Sequence, residues 1–175
     1  MAPETAKMTQ KSKRIRFVLF ALFVLYVLVV LFILVFPNNY RGHSVFVGGL
    51  TWERWLDYVL RSFNFVPLRG IAEQIGSIAG GQHVARNLIY LVGNIVGFIP
   101  LGFFLPALFR RQRSFIPFLL TVIISIVILE LTQVLTMSGS FDIDDILLNA
   151  GGACLGIVAT RGCVWRIAIS SADKS

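Results

Sequence analysis

From Ile15 to Phe36 the chain runs through Phe17-Val18-Leu19-Phe20 to Ile33-Leu34-Val35-Phe36 with Arg16 as its only charge. At about 1.5 Å per residue, some 20 apolar residues make roughly 30 Å of helix, the thickness of a bilayer's hydrocarbon core. A secretory signal has an apolar core of only about 7–15 residues and a small-residue cleavage site. This segment is longer and ends in Phe36-Pro37-Asn38-Asn39 without an A-x-A pattern, so it reads as an uncleaved first transmembrane helix. Composition points the same way. Of 175 residues, 56% are hydrophobic and 14% charged, with a mean hydropathy of +0.77, whereas soluble domains carry about 25% charged residues. A soluble globular domain, a disordered chain and a large extramembrane catalytic domain are all excluded.

Three further spans follow: 87–109, broken by Gly93, Gly97, Pro100, Gly102 and Pro106; 115–136, with Glu130 inside it; and 145–164, short and glycine-rich. Helix breakers at membrane depth are tolerated where protein re-satisfies the backbone, so the second and fourth spans are expected to face protein. The fold class is therefore an all-α, polytopic, four-helix membrane bundle, with about 15–36 as its first span.

Charge sets the expected orientation. Lys7, Lys11, Lys13, Arg14 and Arg16 precede the first span, Arg110, Arg111 and Arg113 form the turn between the second and third, and Arg161, Arg166 and Lys174 end the chain. The positive-inside rule puts these three groups, and both termini, in the cytoplasm. The long first loop and the Ser138–Asp142 turn then lie outside. The net charge of +7 marks anchoring against anionic lipid. With no basic patch interleaved with aromatics, no nucleic-acid partner is expected.

In the first loop, Trp52, Trp55, Leu56, Val59, Leu60 and Phe63 form one helical stripe, opposite Glu53, Arg54, Asp57 and Arg61. This is a short amphipathic helix, lying either in the outer-leaflet interface or on the protein's own spans. A second amphipathic stretch, Ile71 to Ala79, precedes Gly80-Gly81, and the chain ends are expected to be short and disordered. Cys154 and Cys163, nine residues apart on one helix, are about 13 Å apart along its axis, too far for a disulfide. His43 and His83 are isolated, so no metal site and no cofactor are expected.

The informative residues are polar ones at membrane depth. Glu130 lies roughly 22 Å above the cytoplasmic start of its span, with Gln133 one turn further on. Asn87, Tyr90 and Asn94 share a face of the second span, and Asp145 and Asn149 share a face of the fourth, behind Asp142 and Asp144. Three spans thus place polar groups at one outward depth. Asn94, Glu130, Gln133, Asp142, Asp144, Asp145 and Asn149 form either an acidic polar pocket, since ionisable residues in lipid are costly and mark function, or interhelical hydrogen-bonding groups and helix caps. The small-xxx-small pairs Gly93/Gly97 and Gly152/Gly156 are expected to pack the second span against the fourth.

The segments Asn64-Phe65-Val66-Pro67, Asn94-Ile95-Val96-Gly97-Phe98-Ile99-Pro100-Leu101-Gly102, Glu130-Leu131-Thr132-Gln133 and Phe141-Asp142-Ile143-Asp144-Asp145, with Asn149-Ala150-Gly151-Gly152, occur here in that order. Together they resemble the VanZ-like family of small bacterial membrane proteins, named after an accessory protein of glycopeptide resistance. Many members carry an Arg before the F-D-x-x-D segment; here that stretch is Met137-Ser138-Gly139-Ser140. The resemblance implies a membrane domain over 15–165 between cytoplasmic tails at 1–14 and 166–175, in the bacterial cytoplasmic membrane. It further implies, for some members, a teicoplanin-resistance type of activity. Together with the outward acidic cluster it gives the leading expectation, a non-enzymatic envelope protein whose partners, besides the bilayer, are a cell-wall precursor or a glycopeptide of the teicoplanin type at the outer surface. Two other readings stand beside it: an enzyme acting on a lipid-linked substrate with a divalent cation held by Asp142, Asp144 and Asp145, and a solute or ion carrier using Glu130. The pattern specifies no oligomeric state.

Overall fold

The computed structural model describes the backbone of residues 2–35 and 51–172, and side chains over 13–33 and 51–160. His43, the Phe36-Pro37-Asn38-Asn39 end of the first span and the Cys163 side chain lie outside the described residues. Helix α1 (Ala2–Val35) is followed by α2 (Trp52–Arg61), strand β1 (Phe63–Asn64), α3 (Arg69–Ala79), α4 (Val84–Leu108), a 3-10 turn (Arg110–Arg113), α5 (Phe115–Leu135), strand β2 (Phe141–Asp142) and α6 (Ile143–Ala172). Helix α1 begins at Ala2 and α6 runs to Ala172.

Among the described residues four helices are long and apolar enough to cross a membrane: Lys13–Ile33, Val84–Leu108, Phe115–Leu135 and Ile143–Thr160. Their outward faces carry apolar side chains such as Val92, Ile124, Ile128 and Val158, as lipid contact requires. The core lies between α4, α5 and α6, where Phe98, Leu101, Leu105, Phe118, Val122, Ile126, Ala153 and Ile157 pack together. From α1, Phe23 and Tyr26 rest on this core, Phe23 lying 5.8 Å from the Phe104 ring centroid.

Helix α4 stays continuous through Pro100 and Pro106. Proline removes a helical donor, and neighbouring side chains supply donors nearby. The Tyr26 hydroxyl donates to Gly97 O at 2.9 Å, one residue past the Val96 carbonyl that Pro100 leaves without its helical partner. At the end of α4, Arg16 donates to Leu108 O at 3.3 Å, and Arg113 to Pro106 O at 3.3 Å, placing cations on the negative end of the helix dipole.

The tightest approach joins α4 and α6, the most extensive helix pair. A Cβ at Gly152 would overlap the Ile95 carbonyl, one at Gly156 the Ile99 carbonyl, and one at Gly102 the Ala153 carbonyl. Gly93 and Gly97 do not take part: a Cβ at either would meet nothing within 4 Å. That corrects the expected pairing of Gly93/Gly97 with Gly152/Gly156. The rotation of α4 presents Ile95, Ile99 and Gly102 to α6 and turns the glycine pair away.

Helix α2 is capped by Thr51, whose side chain accepts from Arg54 N, and carries the Arg61–Asp57 ion pair at 2.7 Å. It is fastened to the end of α5 and the turn beyond. The Trp55 indole donates to Leu135 O at 3.1 Å, and the Tyr58 hydroxyl to Gly139 O at 2.6 Å. Trp52 and Leu60 remain exposed.

Candidate functional site

A short parallel bridge sets the geometry of the site. Phe63 pairs with Phe141 and Asn64 with Asp142, Phe141 N donating to Ser62 O at 2.8 Å. The Phe63, Phe65 and Phe141 rings cluster over the bridge at centroid distances of 5.5 to 5.7 Å. The α2–α3 segment is thereby tied to the start of α6, whose acidic residues then meet three different sets of partners.

Asp142 closes the first turn of α6. Its Oδ1 accepts from Asp144 N at 2.9 Å and its Oδ2 from Asn64 Nδ2 at 3.1 Å. Asp144 is fully buried and anchors the start of α3, accepting from Leu68 N and, at 3.0 Å, from Ile71 N. Leu68 precedes α3 with a φ of 65°, a left-handed conformation that bulky residues rarely adopt; the Asp144 hydrogen bond holds it there. Gly70 gives Asp144 room, since a Cβ there would stand 3.1 Å from Asp144 Oδ2.

Asp145 points to α4. Its Oδ1 accepts from the Tyr90 hydroxyl at 2.6 Å and from Asn94 Nδ2 at 2.8 Å. These three residues line a cavity of about 1420 Å³ together with Asn87, Gln133, Asp142, Ser138, Gly139, Ser140, Arg69, Glu73, Gln74 and Arg86. Ile33 of α1 and Ile89 of α4 complete one side, and Phe63 and Asn64 another.

Of the residues singled out from the sequence, Asn94, Gln133, Asp142 and Asp145 line this cavity. Glu130, Asp144 and Asn149 do not. Glu130, 4% exposed, lies beside the Asp142 backbone and the Asp145 carboxylate, with its Oε2 lacking a hydrogen-bond partner. Asn149 is similarly buried, its Oδ1 also unpartnered. Each such buried acceptor without a partner costs about 1–3 kcal/mol.

The sequence reading missed Arg69 and Arg86, and with them the mixed charge of the lining. Arg69 pairs with Glu73 at 3.0 Å. The signal for Arg86 was its spacing: it stands four residues before Tyr90, which stands four before Asn94, so all three share a helical face. The wall thus holds two guanidiniums beside three carboxylates, a lining of mixed charge. The carboxylates do not converge, and among the described residues no three His, Cys, Asp or Glu side chains are grouped to hold a metal ion.

The sequence profile of the VanZ/LLP1 family matches residues 23–166. The chain belongs to the VanZ/LLP1 family. The match takes in all four candidate spans, from within α1 to α6, and every residue of the cavity. No curated protein and no solved structure shows significant similarity to the chain. In this VanZ/LLP1 protein the family's membrane domain is therefore a four-helix unit with a large polar cavity at the end where α4 and α6 begin.

Proposed function

We propose that this VanZ/LLP1 protein binds a polar group of the cell envelope at the outer face of the bacterial cytoplasmic membrane. By doing so it alters susceptibility to glycopeptides of the teicoplanin type, without catalysing a covalent step. The observation that carries this reading is the Asp145 carboxylate, held by Tyr90 and Asn94 in the wall of a cavity of about 1420 Å³. Ligand pockets are typically about 300–1,000 Å³ with a few placed polar groups.

The outward direction is supported by where the charges sit. The cavity lies where α4 begins, and Arg110, Arg111 and Arg113 lie beyond its end, about 37 Å away along the helix. The positive-inside rule assigns the arginine turn and both termini to the cytoplasm, which leaves the cavity outside. Helix α2, fastened through Trp55 and Tyr58 but exposing Trp52 and Leu60, suits the outer headgroup zone. A binding role is supported by Asp142 and Asp144, which accept from backbone and amide donors and so anchor the fold around the cavity.

The test is teicoplanin susceptibility in a susceptible bacterium producing the wild-type protein, Asp145→Asn or Glu130→Gln, with membrane levels matched by immunoblot. Wild type is expected to raise the inhibitory concentration several-fold and Asp145→Asn to return it to the vector level, with Glu130→Gln in between. Equal inhibitory concentrations in all strains would remove the resistance reading.

A further inference from the structure

One side of this polar cavity is built from residues that face lipid. Ile33 on α1 is 62% exposed and Ile89 on α4 is 72% exposed, and both belong to candidate spans. An exposed isoleucine in a span is in contact with acyl chains, yet these two share a cavity with Arg86 and Asp145. A site for a water-soluble ligand has no need of such a wall. A site for an amphiphile does, because the polar head must leave the bilayer surface while the tail stays in hydrocarbon.

The charge of the head follows from Arg86. Among the described residues the ion pairs are Arg61–Asp57 and Arg69–Glu73, so Arg86 faces the cavity without a carboxylate partner. It sits in the first turn of α4, at headgroup level in the orientation proposed above. Asn94, eight residues further, lies about 12 Å deeper. The planar guanidinium fork binds oxyanions bidentately, phosphate among them. The carboxylates Asp142 and Asp145 are acceptors and suit hydroxyl or amide donors carried on the same head.

We infer that the cavity takes a phosphate-bearing lipid whose head enters sideways between α1 and α4, its phosphate on Arg86 and its tail left along Ile33 and Ile89. This deepens the binding reading above and rests on it, since it names the class of molecule bound at the same site. It makes the membrane, and not the aqueous phase, the route to the cavity.

The full-length protein in neutral-lipid nanodiscs provides the test, with tryptophan fluorescence reporting titration of a long-chain isoprenyl monophosphate. The same-length isoprenol and inorganic phosphate serve as comparison ligands. Saturable binding of the phosphorylated lipid is expected, at least about tenfold tighter than that of the alcohol, the ratio for one charge-assisted contact. Arg86→Gln, a change at an exposed residue, should weaken it about tenfold or more, and Ile89→Trp should weaken it by crowding the entry. Equal binding of alcohol and phosphate, equal binding by Arg86→Gln, or full displacement by inorganic phosphate at the lipid's own concentration would overturn the inference. The two readings part clearly: lipid binding without any effect on susceptibility would sink resistance alone, and Asp145-dependent susceptibility without lipid binding would sink this inference alone.

Discussion

Alanine at Gly152 or Gly156 is expected to remove most of the folded protein from the membrane, whereas alanine at Gly93 or Gly97 leaves it in place. At each of the first two positions a Cβ would overlap a carbonyl of α4, of Ile95 or Ile99 respectively. The obstacle is backbone, which cannot rotate aside like a long side chain, so the two helices must separate along their most extensive contact. Overpacking a tight site costs about 1–3 kcal/mol and sometimes more, and in lipid close packing is itself a main source of helix association. The double variant Gly152→Ala/Gly156→Ala should lose the monodisperse peak in detergent size-exclusion chromatography. Gly93→Ala and Gly97→Ala should match the wild type in peak height and in thermal midpoint, because a Cβ at either meets nothing within 4 Å. Similar losses in all the variants would show that α4 and α6 pack through a different face.

The second large effect is expected at Asp144. It is fully buried and its two oxygens accept from Leu68 N and Ile71 N. In Asp144→Ala both amides lose their acceptor, at about 1–3 kcal/mol for each unpaired buried donor, and Leu68 loses the bond that holds its left-handed backbone. Helix α3 should then detach from the start of α6, loosening the wall that carries Arg69. The thermal midpoint in detergent should fall clearly, and proteolysis between Phe65 and Gly81 should accelerate. Asp144→Asn keeps one oxygen acceptor and should fall between alanine and wild type. An unchanged midpoint and cleavage pattern in Asp144→Ala would mean that the α3 anchor carries no stability.

The bundle was legible because its cause is local. Each span is a run of apolar residues long enough to cross the bilayer, and nothing beyond hydropathy and length is needed to find it. The glycine pairs show where that reasoning stops. Spacing shows that Gly93 and Gly97 share a face of α4, but only the rotation of the helix decides that Ile95, Ile99 and Gly102 meet α6 instead. The site divides in the same way. Asp142, Asp144 and Asp145 are neighbours in sequence, yet the turn into α6 sends them to Asn64, to the start of α3 and to α4 respectively. Three roles cannot be separated by a pattern in which the residues differ only by one to three positions. Arg69 reaches the cavity because the β1–β2 bridge folds the first loop back over the spans, whereas Arg86 stands in the first turn of α4 itself.

Everything assigned to the site depends on its opening to the outer face. The most direct measurement places a single cysteine at the cavity, Ser140→Cys in a Cys154→Ala/Cys163→Ala background, and treats intact cells with a membrane-impermeant maleimide. Ser140 lines the cavity, so labelling of intact cells is predicted, with little increase after lysis. Labelling only after lysis would place the cavity in the cytoplasm and contradict an outward-facing envelope function.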